Sequence, residues 1–129
     1  MGKDTYRLRS RIYIAGPITL GDIRANVRQA VAVGARLLTL GYAPFIPHLS
    51  HYMDPYATWT KNPFRYEQWL DADRSFIAVC DALLRLPGTS KGADREVLWA
   101  HEIGIPVYTD LRALLDSLPP TQPFEVSHS

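Results

Sequence analysis

Short apolar runs alternate along the chain with longer segments whose apolar residues recur at helical spacing. This strand–helix alternation predicts an α/β fold, in which a parallel sheet is covered by helices on both faces. The predicted strands are residues 11–15 (RIYIA), 42–47 (YAPFIP), 82–86 (ALLRL) and 106–109 (PVYT). The predicted helices are residues 22–40, 66–80, 92–103 and 110–118.

The first and third predicted helices carry recognisable end signals. Asp22 can cap the start of the first helix, Gly41 can end it, and Gly104 can end the third. Prolines limit the length of the second strand. The apolar stripe expected on the first helix consists of Ile23, Val27, Ala30, Gly34, Leu37 and Leu38.

The composition predicts one domain over residues 1–129, with tails at 1–10 and 119–129. The 14 basic and 13 acidic residues leave a formal charge of +1, which argues against polymeric nucleic acid or a membrane surface as a partner. Cys80 is the single cysteine, so a cytoplasmic location and an inert core thiol are expected. The chain has no apolar run of membrane-spanning length and no signal-peptide pattern.

Ligands of parallel α/β sheets bind outside the carboxyl ends of the strands, near the point where the strand order reverses. We therefore expect the loops after the first three strands, GPIT, PHLSHY and PGTSKG, to surround one cleft. The first loop is not followed by a GxGxxG pattern, and GxxxxGK[ST] does not occur in the sequence. Neither a dinucleotide-binding signature nor a P-loop is expected.

Two acidic side chains fall on the apolar sides of two different helices. At about 100° per residue, Glu96 lies inside the stripe of the third helix and Asp73 lies near the centre of that of the second. An unpaired buried carboxylate is costly, so each acid needs a function or a structural partner such as Tyr13 or His48. Two acids at one cleft suit a nucleophile with a partner acid, as in glycosyl transfer. The two stripes are Ala93, Val97, Ala100 and Ile103, and Tyr66, Trp69, Leu70, Ile77 and Cys80.

Other residues near the predicted cleft allow more than one interpretation. Ser90 can cap the third helix, or bind an anion there together with backbone N–H groups. Asn26 can be a plain polar flank of the first helix. Trp59 lies in an aromatic loop and can stack on a flat ring, join a small core or form a dimer contact. His48 and His51 stand three residues apart without an obvious third ligand, so no metal site is expected.

Three stretches, taken in their order and spacing, resemble the nucleoside 2-deoxyribosyltransferase family and the related 2'-deoxynucleoside 5'-phosphate N-hydrolases. They are IYIAGPIT (12–19), DADRSFIAVCDALLRL (71–86) and SKGADREVLWAHEIGIPV (90–107). The resemblance implies a flavodoxin-like, doubly wound sheet of four to five strands. It also implies cleavage of the N-glycosidic bond of a small nucleoside or nucleotide, without a cofactor, by a homodimer or higher homo-oligomer.

The resemblance also assigns roles to individual residues. Glu96 matches the nucleophile that forms a glycosyl-enzyme ester, and Asp73 matches the acid that handles protons at the base. Tyr13 and Gly16 match the end of the first strand, which lines the sugar and base pocket. The substrate-binding residues expected on this basis are Gly16, Pro17, Ile18, Asn26, His48, Trp59, Ser90 and Gly92.

The substrate indications in the sequence point in two directions. Ser90 stands where the transferases typically carry an aspartate for the 5'-hydroxyl and where the N-hydrolases carry a serine for the 5'-phosphate. Pro17 and Thr19 depart from the serine and arginine that the hydrolases have after the first strand. The leading interpretation is sugar transfer between bases, and the alternative is hydrolysis of nucleoside 5'-monophosphates. A non-catalytic nucleotide-binding module, or a domain whose acids are only structural, would be compatible with the same fold.

Overall fold

The computed structural model describes residues 8–50 and 65–121, which form four strands alternating with four helices. This order confirms the alternation that the sequence predicts. The elements in chain order are β1 (Arg11–Ala15), α1 (Ile23–Leu40), β2 (Ala43–Phe45), α2 (Tyr66–Ile77), β3 (Ala82–Arg85), α3 (Lys91–Ile103), β4 (Val107–Tyr108) and α4 (Leu111–Ser117).

The strands form one parallel sheet in the order β2-β1-β3-β4. The order reverses between β1 and β3, which is the switch point of a flavodoxin-like, doubly wound fold. The predicted fold class is therefore confirmed, with four strands among the described residues. Because all the carboxyl ends lie at one edge, the loops that follow β1, β2 and β3 begin side by side.

Each face of the sheet carries its own apolar core, because alternate strand residues point to opposite faces. Ile12 belongs to the core under α1 and α4, together with residues such as Leu37. Tyr13 belongs to the core under α2 and α3, together with residues such as Ile77. Tyr13 therefore lies on the same side of the sheet as the two helices that carry the inward acids.

The ends of α1 follow their sequence signals. Oδ1 of Asp22 accepts hydrogen bonds from the backbone N–H groups of Arg24 and Ala25, at 3.0 and 3.3 Å. These bonds satisfy donors that the first turn of a helix leaves without a helical partner. Gly41 ends the helix with φ of 109°, a conformation that glycine adopts without a steric penalty.

Some sequence predictions about the helices are wrong in detail. The sequence places Ile23, Leu38 and Ile103 on inward stripes, but their side chains are 45%, 54% and 48% exposed. Each lies at the margin of its stripe, where a small rotation of the helix brings the side chain into solvent. Helix α2 ends at Ile77 instead of Cys80, because the N–H of Cys80 bonds back three residues to the carbonyl of Ile77 at 3.0 Å.

The edge strand β2 is shorter than the predicted 42–47 and contains a proline. The N–H of Ala43 donates to the carbonyl of Ser10 at 2.8 Å, so the amide groups of Ala43 and Phe45 face β1. Pro44 lies between them, so its nitrogen, which carries no hydrogen, faces away from β1. This is the kind of strand position that tolerates proline.

A substitution at Gly88, in the loop after β3, is expected to destabilise the protein for two reasons. Its φ is 116°, and a Cβ atom added there would lie 2.7 Å from Cγ of the buried Pro17. Gly88→Ala should therefore lower the free energy of unfolding through backbone strain and, in addition, by about 1–3 kcal/mol through the clash with Pro17. Denaturant titration measures the total loss.

The matched control for this prediction is Gly104→Ala. Gly104 also has a positive φ, 82°, but a Cβ atom there would meet nothing within 4 Å. An equal loss of stability in the two variants would contradict the proposed contact with Pro17.

Candidate active site

A cleft of about 670 Å³ opens at the carboxyl edge of the sheet. The loops after β1, β2 and β3 all contribute to it, as the sequence predicts, together with residues of α2 and α3. Its lining residues are Gly16, Ile18, Thr19, Leu20, Pro47, Ser50, Trp69, Leu70, Asp73, Thr89, Ser90, Lys91, Gly92, Ala93 and Glu96.

Glu96 is brought to the cleft by the first turns of α3. Oγ of the capping Ser90 accepts a hydrogen bond from the N–H of Ala93 at 3.0 Å, which fixes the helix start. Glu96 follows one turn later on the inward side, and only 8% of it is exposed. The buried hydroxyl group of Tyr13 on β1 donates a hydrogen bond to Oε2 of Glu96.

The surroundings of Glu96 favour its protonated form. Burial raises the pKa of Glu96 to about 7, and the negative charge of Asp73 acts in the same direction. The hydrogen bond from Tyr13 and the positive charge of Arg85 lower this pKa, but by less than burial raises it. Burial, followed by the charge of Glu96, raises the pKa of Tyr13, so its hydroxyl group stays a proton donor at physiological pH.

Asp73 is a half-buried residue of α2 that lines the same cleft. Burial raises its pKa to about 6. The structure therefore brings the two inward acids together, and the charge of each one is felt at the same side chain, Tyr13. Carboxyl groups with raised pKa values in a cleft are typical of sites that move protons or form covalent bonds, although structural networks also produce them.

Asn26 and His48 hold the loop after β1 in place. Nδ2 of Asn26 donates to the carbonyl groups of Ile18 and Leu20, at 3.0 and 2.8 Å. Nε2 of the fully buried His48 lies 3.1 Å from the carbonyl oxygen of Pro17. These contacts give the two side chains a part in shaping the cleft wall, while their direct contact with substrate stays a prediction.

The remaining predicted site residues divide by position. Gly16, Ile18, Ser90 and Gly92 line the cleft. Tyr13, Pro17 and His48 are buried, Asn26 is half-buried, and none of these four lines the cleft. Trp59 lies outside the described residues.

The sequence does not identify several of the residues that line the cleft. Its helical periodicity places Trp69 and Leu70 on the apolar stripe of α2, but they line the cleft one turn before Asp73. The signal in the sequence for this role is their position beside an inward acid. Lys91 follows the cap residue Ser90, and it is the only basic side chain among the described residues that line the cleft.

Residues 8–50 and 65–121 contain no group of three or more His, Cys, Asp or Glu side chains that could hold a metal ion. Within the same ranges, no helix has the length and hydropathy needed to cross a membrane.

Glu96→Gln is expected to change how stability depends on pH. The pKa of Glu96 lies near 7 in the folded protein and near 4.5 without the fold, so the folded state binds this proton more tightly. Stability should therefore fall as the pH rises from about 4.5 to about 7 and then level off. The cost at high pH is that of ionising a buried carboxyl group, and glutamine does not ionise. Glu96→Gln should therefore be more stable than wild type at pH ~8 by roughly 2–3 kcal/mol.

Denaturant titrations at acidic and alkaline pH measure this effect, and Glu102→Gln on the exposed side of α3 is the control. The same pH slope in wild type and Glu96→Gln would show that burial does not hold the proton on Glu96.

Solved structures of proteins from two organisms, among others, have folds similar to this one. A 2-desoxiribosyltransferase from Leishmania mexicana matches with a TM-score of 0.53 and 24% sequence identity, over 84% of this chain and 70% of that chain. A 2-deoxyribosyltransferase from Bacillus psychrosaccharolyticus matches with a TM-score of 0.54 and 17% identity, over 84% of this chain and 82% of that chain. These matches confirm, at the level of the fold, the resemblance that the sequence indicates.

No curated protein matches the chain significantly. A family model described as a domain of unknown function (DUF7768) matches residues 10–110. The match includes every element from β1 to β4 and all the described residues that line the cleft. The chain therefore belongs to the DUF7768 domain family.

Proposed function

We propose that the chain cleaves the N-glycosidic bond of a nucleoside or deoxynucleoside and transfers the sugar to another base. The observation that carries this proposal is the buried carboxyl group of Glu96, which is hydrogen-bonded by Tyr13 and faces the same cleft as Asp73. One carboxylate can act as nucleophile and the other can move protons at the base. The fold shared with the 2-deoxyribosyltransferases supports the same chemistry.

In the first step, a carboxylate oxygen of Glu96 attacks the anomeric carbon while the bond from that carbon to the base nitrogen breaks. The electron pair of the broken bond stays on the base, which receives a proton from Asp73. A glycosyl ester of Glu96 and a free base result. Tyr13 holds Oε2 of Glu96, which orients the carboxyl group and leaves Oε1 for the attack.

In the second step, the nitrogen of another base attacks the anomeric carbon from the side that the first base left. The ester bond breaks, its electron pair returns to Glu96, and the proton of the incoming base passes to Asp73. Two displacements at one carbon retain its configuration. Water in place of the second base would release the free sugar.

The lining of the cleft provides different surfaces for the base and for the sugar of the substrate. Ile18, Trp69 and Leu70 provide apolar surface of the kind that binds a planar base. Thr89 and Ser90 provide polar groups in the same cleft as Glu96 that can bind sugar hydroxyl groups.

A second candidate reaction is the hydrolysis of nucleoside 5'-monophosphates. The observation that favours it is Lys91, a basic side chain at the start of α3 that lines the cleft beside Ser90. A helix start with a nearby ammonium group favours a phosphate.

The test is a panel of nucleosides, deoxynucleosides and their 5'-monophosphates, each with and without a second free base. Chromatography would follow free base, new nucleoside and sugar phosphate. Base exchange supports transfer, and release of sugar phosphate from monophosphates alone supports hydrolysis. Binding of these compounds without any turnover would contradict both reactions and indicate a non-catalytic nucleotide-binding module.

A further inference from the structure

Arg85, the last residue of β3, does not line the cleft, but its guanidinium group makes three hydrogen bonds, to the loop after β3 and to α3. Its side chain is 14% exposed. Nη1 donates to the carbonyl of Leu86, and Nη2 donates to the carbonyl of Gly88 at 3.0 Å and to Oδ1 of Asp94 at 2.9 Å. One guanidinium group thus joins the loop after β3 to the first turn of α3.

The loop held by Arg85 is also fixed to the neighbouring strand. The N–H of Leu86 donates to the carbonyl of Ala15 on β1 at 2.7 Å. Asp94 and Glu96 stand two residues apart on α3, so their side chains point about 200° apart around the helix axis. Arg85 therefore binds the outward-facing Asp94 of α3, while Glu96 on the opposite side of the same helix faces the cleft.

We propose that Arg85 is a positioning residue that fixes the first turn of α3 against the sheet and so sets the place of Glu96 in the cleft. Its effect on catalysis rests on the proposed function, whereas its effect on Glu96 can be measured without any substrate. The fork geometry explains the use of arginine, because a lysine ammonium cannot present the same planar set of donors to two carbonyl groups and a carboxylate.

The electrostatics of the site agree with this role. The groups that act on the pKa of Glu96 are Tyr13 from β1, Asp73 from α2 and Arg85 from β3. Lys91, on the same helix as Glu96, lines the same cleft. Arg85 is the positive charge that lowers the pKa of Glu96, against burial and the charge of Asp73, which raise it. The ion pair with Asp94 contributes little stability by itself, because the Asp94 side chain is 71% exposed.

The experiment compares Arg85→Met, which removes the charge and the fork, with Arg85→Lys, which keeps the charge alone. Arg112→Met, at an exposed position on α4, is the control. The first measurement is an NMR titration of ¹³C-labelled glutamate carboxyl groups, with the Glu96 signal assigned by its loss in Glu96→Gln. The second is kcat/KM for base release across the pH range.

Arg85→Met is expected to raise the pKa of Glu96, which is the higher of the two carboxyl pKa values, and so to move the alkaline limb of the pH profile to higher pH. Arg85→Lys is expected to leave this pKa close to that of wild type but to lower kcat/KM by about 10- to 100-fold through misplacement of the carboxylate. An unchanged Glu96 titration in folded Arg85→Met would overturn the electrostatic role. A wild-type rate in Arg85→Lys would overturn the positioning role, and this variant decides that point even if Arg85→Met does not fold.

Failure of the proposed function has a different signature. Wild-type protein would then release no base from any nucleoside or nucleotide, while the NMR titration would still show whether Arg85 controls the protonation of Glu96.

Discussion

Glu96→Gln is expected to lower the rate of base release by roughly 10⁴-fold, because removing a nucleophile in other enzymes has effects of this size. The amide can still accept the hydrogen bond from Tyr13, so the fold and the shape of the cleft should be preserved. Its nitrogen and oxygen are too weakly nucleophilic to form the glycosyl bond at a useful rate. Initial rates with the best substrate from the panel measure the effect.

A mechanism-based label tests the nucleophilic role of Glu96 independently of the reaction rate. A nucleoside with fluorine at C2 of the sugar should add one glycosyl group to wild type and none to Glu96→Gln, as measured by intact mass and peptide mapping. Glu102→Gln, an exposed position on the same helix, should behave as wild type in both assays. Labelling at a residue other than Glu96, or normal turnover by Glu96→Gln, would show that the nucleophile is elsewhere.

Asp73→Asn should lower kcat by about 10²- to 10⁴-fold, the usual contribution of a general acid or base. The loss should be smallest for bases that leave readily without protonation, since those need the proton of Asp73 least. Asp71→Asn, at an exposed position on the same helix, is the matched control. Equal losses for good and poor leaving bases would point to a structural role for Asp73.

The same variant should change the pH profile. In wild type, the form that reacts has Glu96 ionised and Asp73 protonated, so kcat/KM should be bell-shaped with its maximum between about pH 6 and 7. The alkaline limb arises because Asp73 loses its proton from the reactive form, so Asp73→Asn should abolish this limb and leave only the rise in rate as Glu96 ionises. An alkaline limb that persists in Asp73→Asn would show that Asp73 is not the proton donor.

Most of the fold could be predicted from the sequence, because its signals are local. Apolar runs and helical periodicity give the alternation, and the caps at Asp22 and Gly41 mark the ends of α1. The outward turn of Ile23 and Leu38 could not be predicted, because periodicity defines a stripe but not how far a helix is rotated on the sheet. The end of α2 at Ile77 depends on two backbone hydrogen bonds that span three residues, from Val79 to Phe76 and from Cys80 to Ile77, and the sequence carries no clear signal for them.

Those parts of the candidate site that depend on the face of a single helix or on a single loop can be predicted from the sequence. The inward directions of Glu96 and Asp73 follow from angle alone, and their meeting at one cleft follows from the parallel order of the strands. The hydrogen bond from Tyr13 to Glu96 and the ion pair of Arg85 with Asp94 join side chains of different elements. The sequence offers Tyr13 as one of two candidate partners for an inward acid and does not indicate the pair of Arg85 with Asp94, because such contacts depend on the distance between elements, which no sequence period encodes.

Pro44 has a further consequence for how molecules of this protein meet one another. In β2, the amide groups of Ala43 and Phe45 are turned toward β1, so within this strand no N–H group points away from β1. A strand from a second molecule that approached this side of β2 would find no repeating ladder of donors and acceptors to join. The proline therefore disfavours edge-to-edge aggregation along β2, and a residue with an amide hydrogen at position 44 would remove that protection.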